Sequence, residues 1–170
     1  LNFLFLAESD KSGKSIMTYR IKAYKRRVQY HETDRMGIMH NSNYYRWFEE
    51  ARIDYMDQTK YPLKVIEGMG IFLPVAASSA EFLSPAEFAE DFYVVSEMVH
   101  FTGYKMTINF KIIHANSRSV CTTGQIKYGV ISKEGKPILL QRQFPEVYED
   151  WQAVLNLPSV IDELTDPIRI

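Results

Sequence analysis

Hydrophobic positions change period three times along this chain. Between residues 19 and 30 they alternate. Tyr19, Ile21 and Ala23 share one face, and Val28 and Tyr30 continue it after the basic run Lys25-Arg26-Arg27. A strand is predicted there, with the basic run facing solvent. From Ser42 to Gln58 the period becomes that of a helix. Tyr44, Trp47, Phe48, Ala51 and Tyr55 fall on one stripe, Tyr45 and Met56 widen it, and only Arg46, Glu50, Asp54 and Asp57 make a clearly polar arc. A helix apolar over so much of its girth needs more cover than one neighbouring helix gives; a sheet curled around it supplies that cover. Asn41, Ser42 and Asn43 are each suited to cap its start, because their side chains accept hydrogen bonds from orphan backbone N–H groups. Tyr61-Pro62 ends it, and one short helix is expected over 63–67 before Gly68 and Gly70.

Beyond residue 71 the period returns to two. Strands are predicted over 71–82 (interrupted by Pro74), 91–100, 105–114 and 120–131. The third is the clearest: Met106, Ile108, Phe110 and Ile112 alternate with Lys105, Thr107, Asn109 and Lys111. Ser84-Pro85, Thr102-Gly103, Asn116-Ser117 and Glu134-Gly135-Lys136-Pro137 mark the turns. Helical spacing reappears over 145–155, with Pro145 at a favourable first position. The order is one strand, a long helix, then several hairpin-linked strands. This predicts an α+β fold: a mostly antiparallel sheet of about five strands with the helix across its concave face. One domain is expected over 17–157, with an extension at 1–16 and a tail at 158–170. Within the extension, Lys11-Ser12-Gly13-Lys14-Ser15 lacks the leading glycine of a phosphate loop, since Glu8 stands there. It reads as a polar linker.

Composition narrows the chemistry. A net charge of −1 over 170 residues argues against a nucleic-acid binder, while 14% aromatic residues suit an apolar pocket. The lone Cys121 excludes an intrachain disulfide and fits a reducing, cytoplasmic setting; its mid-strand place predicts a small buried apolar role. His100 and His114 fall at strand ends and are expected at the surface. The apolar opening, Leu1 to Ala7, is far short of the roughly 20 residues of a membrane span. No G-x-S-x-G elbow, metal-spaced histidine pair or dinucleotide fingerprint occurs. No metal or cofactor is expected.

What remains is Asp34 and the polar turn His40-Asn41-Ser42-Asn43. A loop turning at Gly37 can bring the Asp34 carboxylate back beside the helix start. The first-turn N–H groups there lack helical partners and carry partial positive charge, which suits the oxyanion formed when an ester or thioester carbonyl is attacked. Asp34 would then be nucleophile or general base, and His40 or Asn41 would orient water or donate to the carbonyl. The same residues equally fit a plain turn and helix cap, so spacing alone leaves both readings open.

The segments Glu32-Thr33-Asp34, Gly37-Ile38-Met39, His40-Asn41-Ser42-Asn43-Tyr44 and Phe48-Glu49-Glu50-Ala51-Arg52 together resemble the signature of the 4-hydroxybenzoyl-CoA thioesterase family, of hotdog fold. The resemblance covers roughly residues 19–140. It implies hydrolysis of acyl thioesters carried on CoA or on acyl carrier protein, by a homodimer or homotetramer whose sheets pair edge to edge. Asp34 matches the family's catalytic aspartate, and Asn41 matches the position whose backbone N–H polarises the carbonyl. Many bacterial members have histidine at that position; here the histidine stands one place earlier, which makes His40 a further catalytic candidate. Gly37, Ser42 and Glu49 are candidates for substrate contact. Glu49 and Arg52, also in the signature, are expected to form an ion pair near the subunit interface, a catalytic Glu49 being the alternative. Two other readings use the same fold: a hydratase or dehydratase pairing His40 with an acid such as Glu49, and an acyl-binding module without turnover.

Overall fold

The computed structural model describes residues 5–9 and 15–161, with side chains from Tyr19 onward. The long helix, α1, runs over Asn41–Asp57, close to the predicted bounds. Its stripe of Tyr44, Trp47, Phe48, Ala51, Tyr55 and Met56 is buried as expected. The stripe packs on a five-stranded antiparallel sheet. Phe48 stacks on Phe110 with ring centroids 4.8 Å apart, and Trp47 lies 6.0 Å from Phe92.

Two strands at the N-terminal end, β1 (Phe5–Ser9) and β2 (Ser15–Tyr19), pair with each other outside the main sheet. The main sheet contains β3 (Tyr24–Arg27), β4 (Val75–Phe82), β5 (Asp91–Phe101), β6 (Lys105–His114) and β7 (Val120–Gly129), in the spatial order β3-β5-β6-β7-β4. Hairpins join β5 to β6 and β6 to β7. A short helix α2 (Leu63–Gly68) follows α1. Two helices come after the sheet: α3 (Leu140–Gln143), which the periodicity does not predict, and α4 (Pro145–Ala153), with Pro145 in its first turn.

Gly124 sits in the middle of β7, an unfavourable place for a residue with no side chain to pack. A Cβ at that position would lie 2.4 Å from the Phe48 ring. Glycine is what lets α1 lie this close to the sheet. At the edge, β4 is built from small residues and is exposed along nearly all its length. Pro74 delays its start: Phe72 makes one bridge to Ile131, and the ladder begins only at Val75.

Several expectations need correction. The strand predicted over 19–30 is broken: Tyr19 ends β2, and only β3 joins the main sheet. Lys22 makes a single bridge to Val160. Tyr30 leaves the sheet in a 3-10 turn over Tyr30–Glu32 and is 78% exposed. Arg26 does not face solvent. It pairs across the ladder with Phe92, on the helix side, while Lys25 and Arg27 alternate to the outer face. There Arg27 holds Asp91 in a two-pronged ion pair at 2.8 and 3.0 Å and draws its carboxyl below the usual value. His114 is not a free surface histidine: its Nδ1 accepts from the Asn116 and Ser117 amides, and its Nε2 lies 3.4 Å from Glu90. His100 is exposed and Cys121 buried, as expected, and burial pushes the Cys121 thiol up. The Lys11–Lys14 part of the polar run lies outside the described residues. The tail docks as far as residue 161: Pro158 bridges to Glu97, and the Ser159 hydroxyl receives the Ser96 N–H at 2.9 Å.

Asp150 of α4 ties the helical end of the molecule to Tyr19. The Tyr19 hydroxyl donates to Asp150 Oδ1 and receives the Lys60 N–H; Asp150 Oδ2 is buried with no partner. Burial raises the Asp150 carboxyl, against the opposing hydrogen bond from Tyr19. An acid whose folded-state pKa is raised contributes stability fully below its ordinary value of 3.8 and loses that contribution as pH rises through the raised value. Asp150→Asn removes this titration. Across that window the melting temperature of wild type should fall relative to that of Asp150→Asn as pH rises. Parallel pH profiles would show that Asp150 titrates alike in folded and unfolded chains.

Candidate active site

The segment between β3 and α1 folds as a tight loop over residues 33–39. The Asp34 amide donates to the Ile38 carbonyl at 2.9 Å, Gly37 donates back to the Asp34 carbonyl at 3.0 Å, and Thr33 bridges Met39. Gly37 takes φ of +78°, the left-handed conformation that this reversal needs. Asp34 Oδ1 accepts the Met36 N–H at 2.7 Å, which fixes the side chain over the turn. Among the described residues nothing donates to Oδ2.

The helix begins one residue earlier than the best cap formers suggest. His40, not Asn41, Ser42 or Asn43, is the N-cap: its Nδ1 accepts the Ser42 N–H at 3.3 Å and meets the Ser42 hydroxyl at 2.9 Å. Its carbonyl accepts the Asn43 N–H at 2.9 Å. That leaves the Asn41 amide, at the first helical position, without an acceptor among the described residues, as helix geometry requires.

Asp34, His40 and Asn41 line one open cleft of about 550 Å³. Its other walls are largely apolar and include Met36, Met39, Tyr44, Phe82 and Leu83. The Tyr44 ring meets Phe82 edge-on at 4.9 Å. Its phenol is pushed up to about 12 by burial and by the Cys121 thiol, against hydrogen bonds to Thr122 and Ala86. The site is an acid and a helix N-terminus at one end of an apolar trough. It can hold an electron-rich oxygen, deliver a carboxylate and shelter a greasy substituent.

The other sequence candidates are placed differently. Gly37 shapes the turn and Ser42 completes the cap. Glu49 lies eight residues past Asn41 on α1, about 12 Å along the axis at 1.5 Å per residue, and is exposed. The predicted Glu49–Arg52 ion pair is not formed. Arg52 is only 7% exposed, with its guanidinium 5.0 Å over the Tyr128 ring of β7 and Nη1 on Met56 Sδ; its Nε has no partner. Glu49 is exposed, and no ion pair links it to Arg52 among the described residues. A His40–Glu49 pair is likewise absent.

Sequence reasoning missed Glu32. It is 3% exposed, and its carboxylate accepts from Arg26 Nη2 at 3.0 Å, Trp47 Nε1 at 2.9 Å and the Gln29 N–H at 2.8 Å. Its own carbonyl accepts the His40 N–H at 2.9 Å and the Asn43 side chain at 2.7 Å. Arg26 in turn reaches Glu50, which also receives the Tyr24 hydroxyl. Burial works against the Arg26 charge, but Tyr24, Glu50 and Glu32 outweigh it and raise the guanidinium pKa. The one available signal was the spacing of Gln29 and Glu32, which form a reciprocal capping box.

This chain is similar in sequence and fold to known proteins. The thioesterase-like superfamily matches residues 28–160. A Bacillus subtilis (strain 168) protein named "Putative acyl-CoA thioesterase YneP" is 27% identical over 128 residues, covering 74% of this chain and 88% of its own. An Aquifex aeolicus (strain VF5) protein named "Putative esterase" is 29% identical over 127 residues, covering 75% of this chain and 97% of its own. Among solved structures, a DHNA-CoA thioesterase from Staphylococcus aureus superposes with a TM-score of 0.73 at 27% identity, over 78% of this chain and 89% of that one.

Proposed function

From the premise that the chain belongs to the thioesterase-like superfamily, we propose that it hydrolyses acyl-CoA thioesters to a free acid and CoA at the Asp34 cleft. The observation that carries this reading is that Asp34 and the unpaired N-terminal amide of α1 line one apolar-walled trough. The thioester carbonyl oxygen accepts from the Asn41 N–H, which draws electrons from the carbonyl carbon as negative charge builds on oxygen. Asp34 acts on that carbon from the other side. As general base it takes a proton from water while the hydroxyl adds. As nucleophile it forms an anhydride that water then opens. Either way the C–S bond breaks, the carboxylic acid leaves and the sulfur ends as the CoA thiol. His40 holds the helix start through its cap and presents its ring to the cleft mouth.

A homodimer or homotetramer built on the bare edge of β4 fits this site. Phe82 ends that strand and Leu83 follows it, and both line the cleft, so a second copy paired along β4 would wall in the acyl group. The hydratase reading draws less support, because the His40–Glu49 pair that it needs is absent. No helix among the described residues is long and apolar enough to cross a membrane; the free buried Cys121 fits a cytoplasmic enzyme.

The test is a panel of aliphatic and aromatic acyl-CoAs, with acyl carrier protein thioesters alongside, mixed with the protein and a thiol-reactive dye. Hydrolysis releases thiol in step with protein concentration. Turnover that consumes the acyl group without freeing thiol would support hydration, and binding without turnover would reduce the protein to an acyl-binding module.

A further inference from the structure

Glu32 is a buried carboxylate that no step of the reaction uses. Two features set it apart from an ordinary core ion pair. Its side chain reaches three separate elements: Arg26 on β3, Trp47 in the second turn of α1, and the Gln29 amide at the head of the 3-10 turn. Its backbone carbonyl, meanwhile, holds both the His40 amide and the Asn43 side chain, the residues flanking the Asn41 donor. Asp34 follows two residues later, after Thr33 hands the chain to the hairpin through its bridge to Met39. The two ends of the proposed chemistry are thus tied to one residue.

We propose that Glu32 is a positioning residue: pinned by Arg26 and Trp47, it fixes the Asp34 turn relative to the α1 N-terminus. This rests on the reading of Asp34 and Asn41 given above. The physical reason for such an anchor is that the two reacting groups sit on different kinds of structure. The helix start is rigid, because α1 is enclosed by the sheet. The turn over residues 33–39 is a surface loop, with Met36 75% exposed, and would otherwise wander. A displacement of about 1 Å between nucleophile and oxyanion donor is enough to slow a reaction about a hundredfold. A buried carboxylate with three donors resists such movement, because shifting it leaves charged and polar groups unpaired.

A kinetic double-mutant cycle with Asp34 tests this. Glu32→Gln keeps shape and bulk but loses the charge that holds Arg26. It should lower kcat by about tenfold or more with KM changed by less than about threefold. In the Asp34→Asn background, where there is no carboxylate left to position, adding Glu32→Gln should alter the residual rate by less than about twofold. If Glu32→Gln proves unfolded by circular dichroism, Trp47→Phe, which removes only the indole donor and part of the ring, takes its place in the same cycle. Equal losses in both backgrounds would overturn the proposal, since a merely structural residue lowers the active fraction regardless of Asp34. An undiminished kcat in the anchor variant would overturn it too. A wild-type rate for Asp34→Asn alone is a separate result: it overturns the reading of Asp34 itself, and the anchor then has nothing to position.

Discussion

Asp34→Asn lowers kcat by about two or more orders of magnitude while leaving KM and the melting temperature close to wild type. The asparagine is nearly isosteric, and its side-chain oxygen still accepts the Met36 N–H that organises the turn. The hairpin over 33–39 therefore keeps its shape. What disappears is the anionic oxygen that no described residue donates to, the part of the side chain available to attack a carbon or take a proton from water. The apolar walls and the helix amide are untouched, so acyl binding persists. Steady-state kinetics with the best substrate of the panel, beside thermal melts of both proteins, read this directly. A variant within a few-fold of wild type would mean that the carboxylate serves only as a turn cap.

Gly124→Ala should destabilise the fold, although replacing glycine by alanine in a strand ordinarily helps it. The chain-entropy gain is about 0.4–1 kcal/mol. The added methyl would meet the Phe48 ring at 2.4 Å, well inside contact distance, and Phe48 is pinned by stacking on Phe110. Overpacking of this kind costs about 1–3 kcal/mol, which outweighs the entropy term and reverses the sign. Pairing Gly124→Ala with Phe48→Leu should recover part of the loss, because the flat ring is replaced by a shorter side chain. Chemical denaturation of the two single variants and the double gives the comparison. A Gly124→Ala protein more stable than wild type would show that α1 does not press on β7 as described.

The helix and the sheet were legible because both are written in periods. The stripe from Tyr44 to Met56 has too little polar arc for an ordinary surface helix, and that alone demands an enclosing sheet. The alternation of β6 places Met106, Ile108, Phe110 and Ile112 under the helix without further information. Asp34 and Asn41 were legible as candidates because a carboxylate, a Gly turn and a helix start lie within a few residues of one another. What was not legible depends on contacts between distant residues. Arg26 looks like one of three solvent-facing cations until the register with Phe92 puts it on the inner face. Glu32 has no local pattern that reveals its partners on Arg26 and Trp47, which lie on two other elements. Arg52 seems made for Glu49 on a helical wheel, but its guanidinium lies instead over the Tyr128 face, supplied by β7 some seventy-six residues later. His40 is not legible as the cap because three stronger cap formers follow it; its ring nitrogen, which takes the Ser42 N–H, fills that role.

A structure of the assembled protein bound to a non-hydrolysable acyl-CoA analogue tests the central claim most directly. The account predicts the analogue's carbonyl oxygen at about 3 Å from the Asn41 N, with an Asp34 oxygen, or one water held by it, about 3–3.5 Å from the carbonyl carbon. A carbonyl bound elsewhere, with Asp34 turned to bulk solvent, would contradict it.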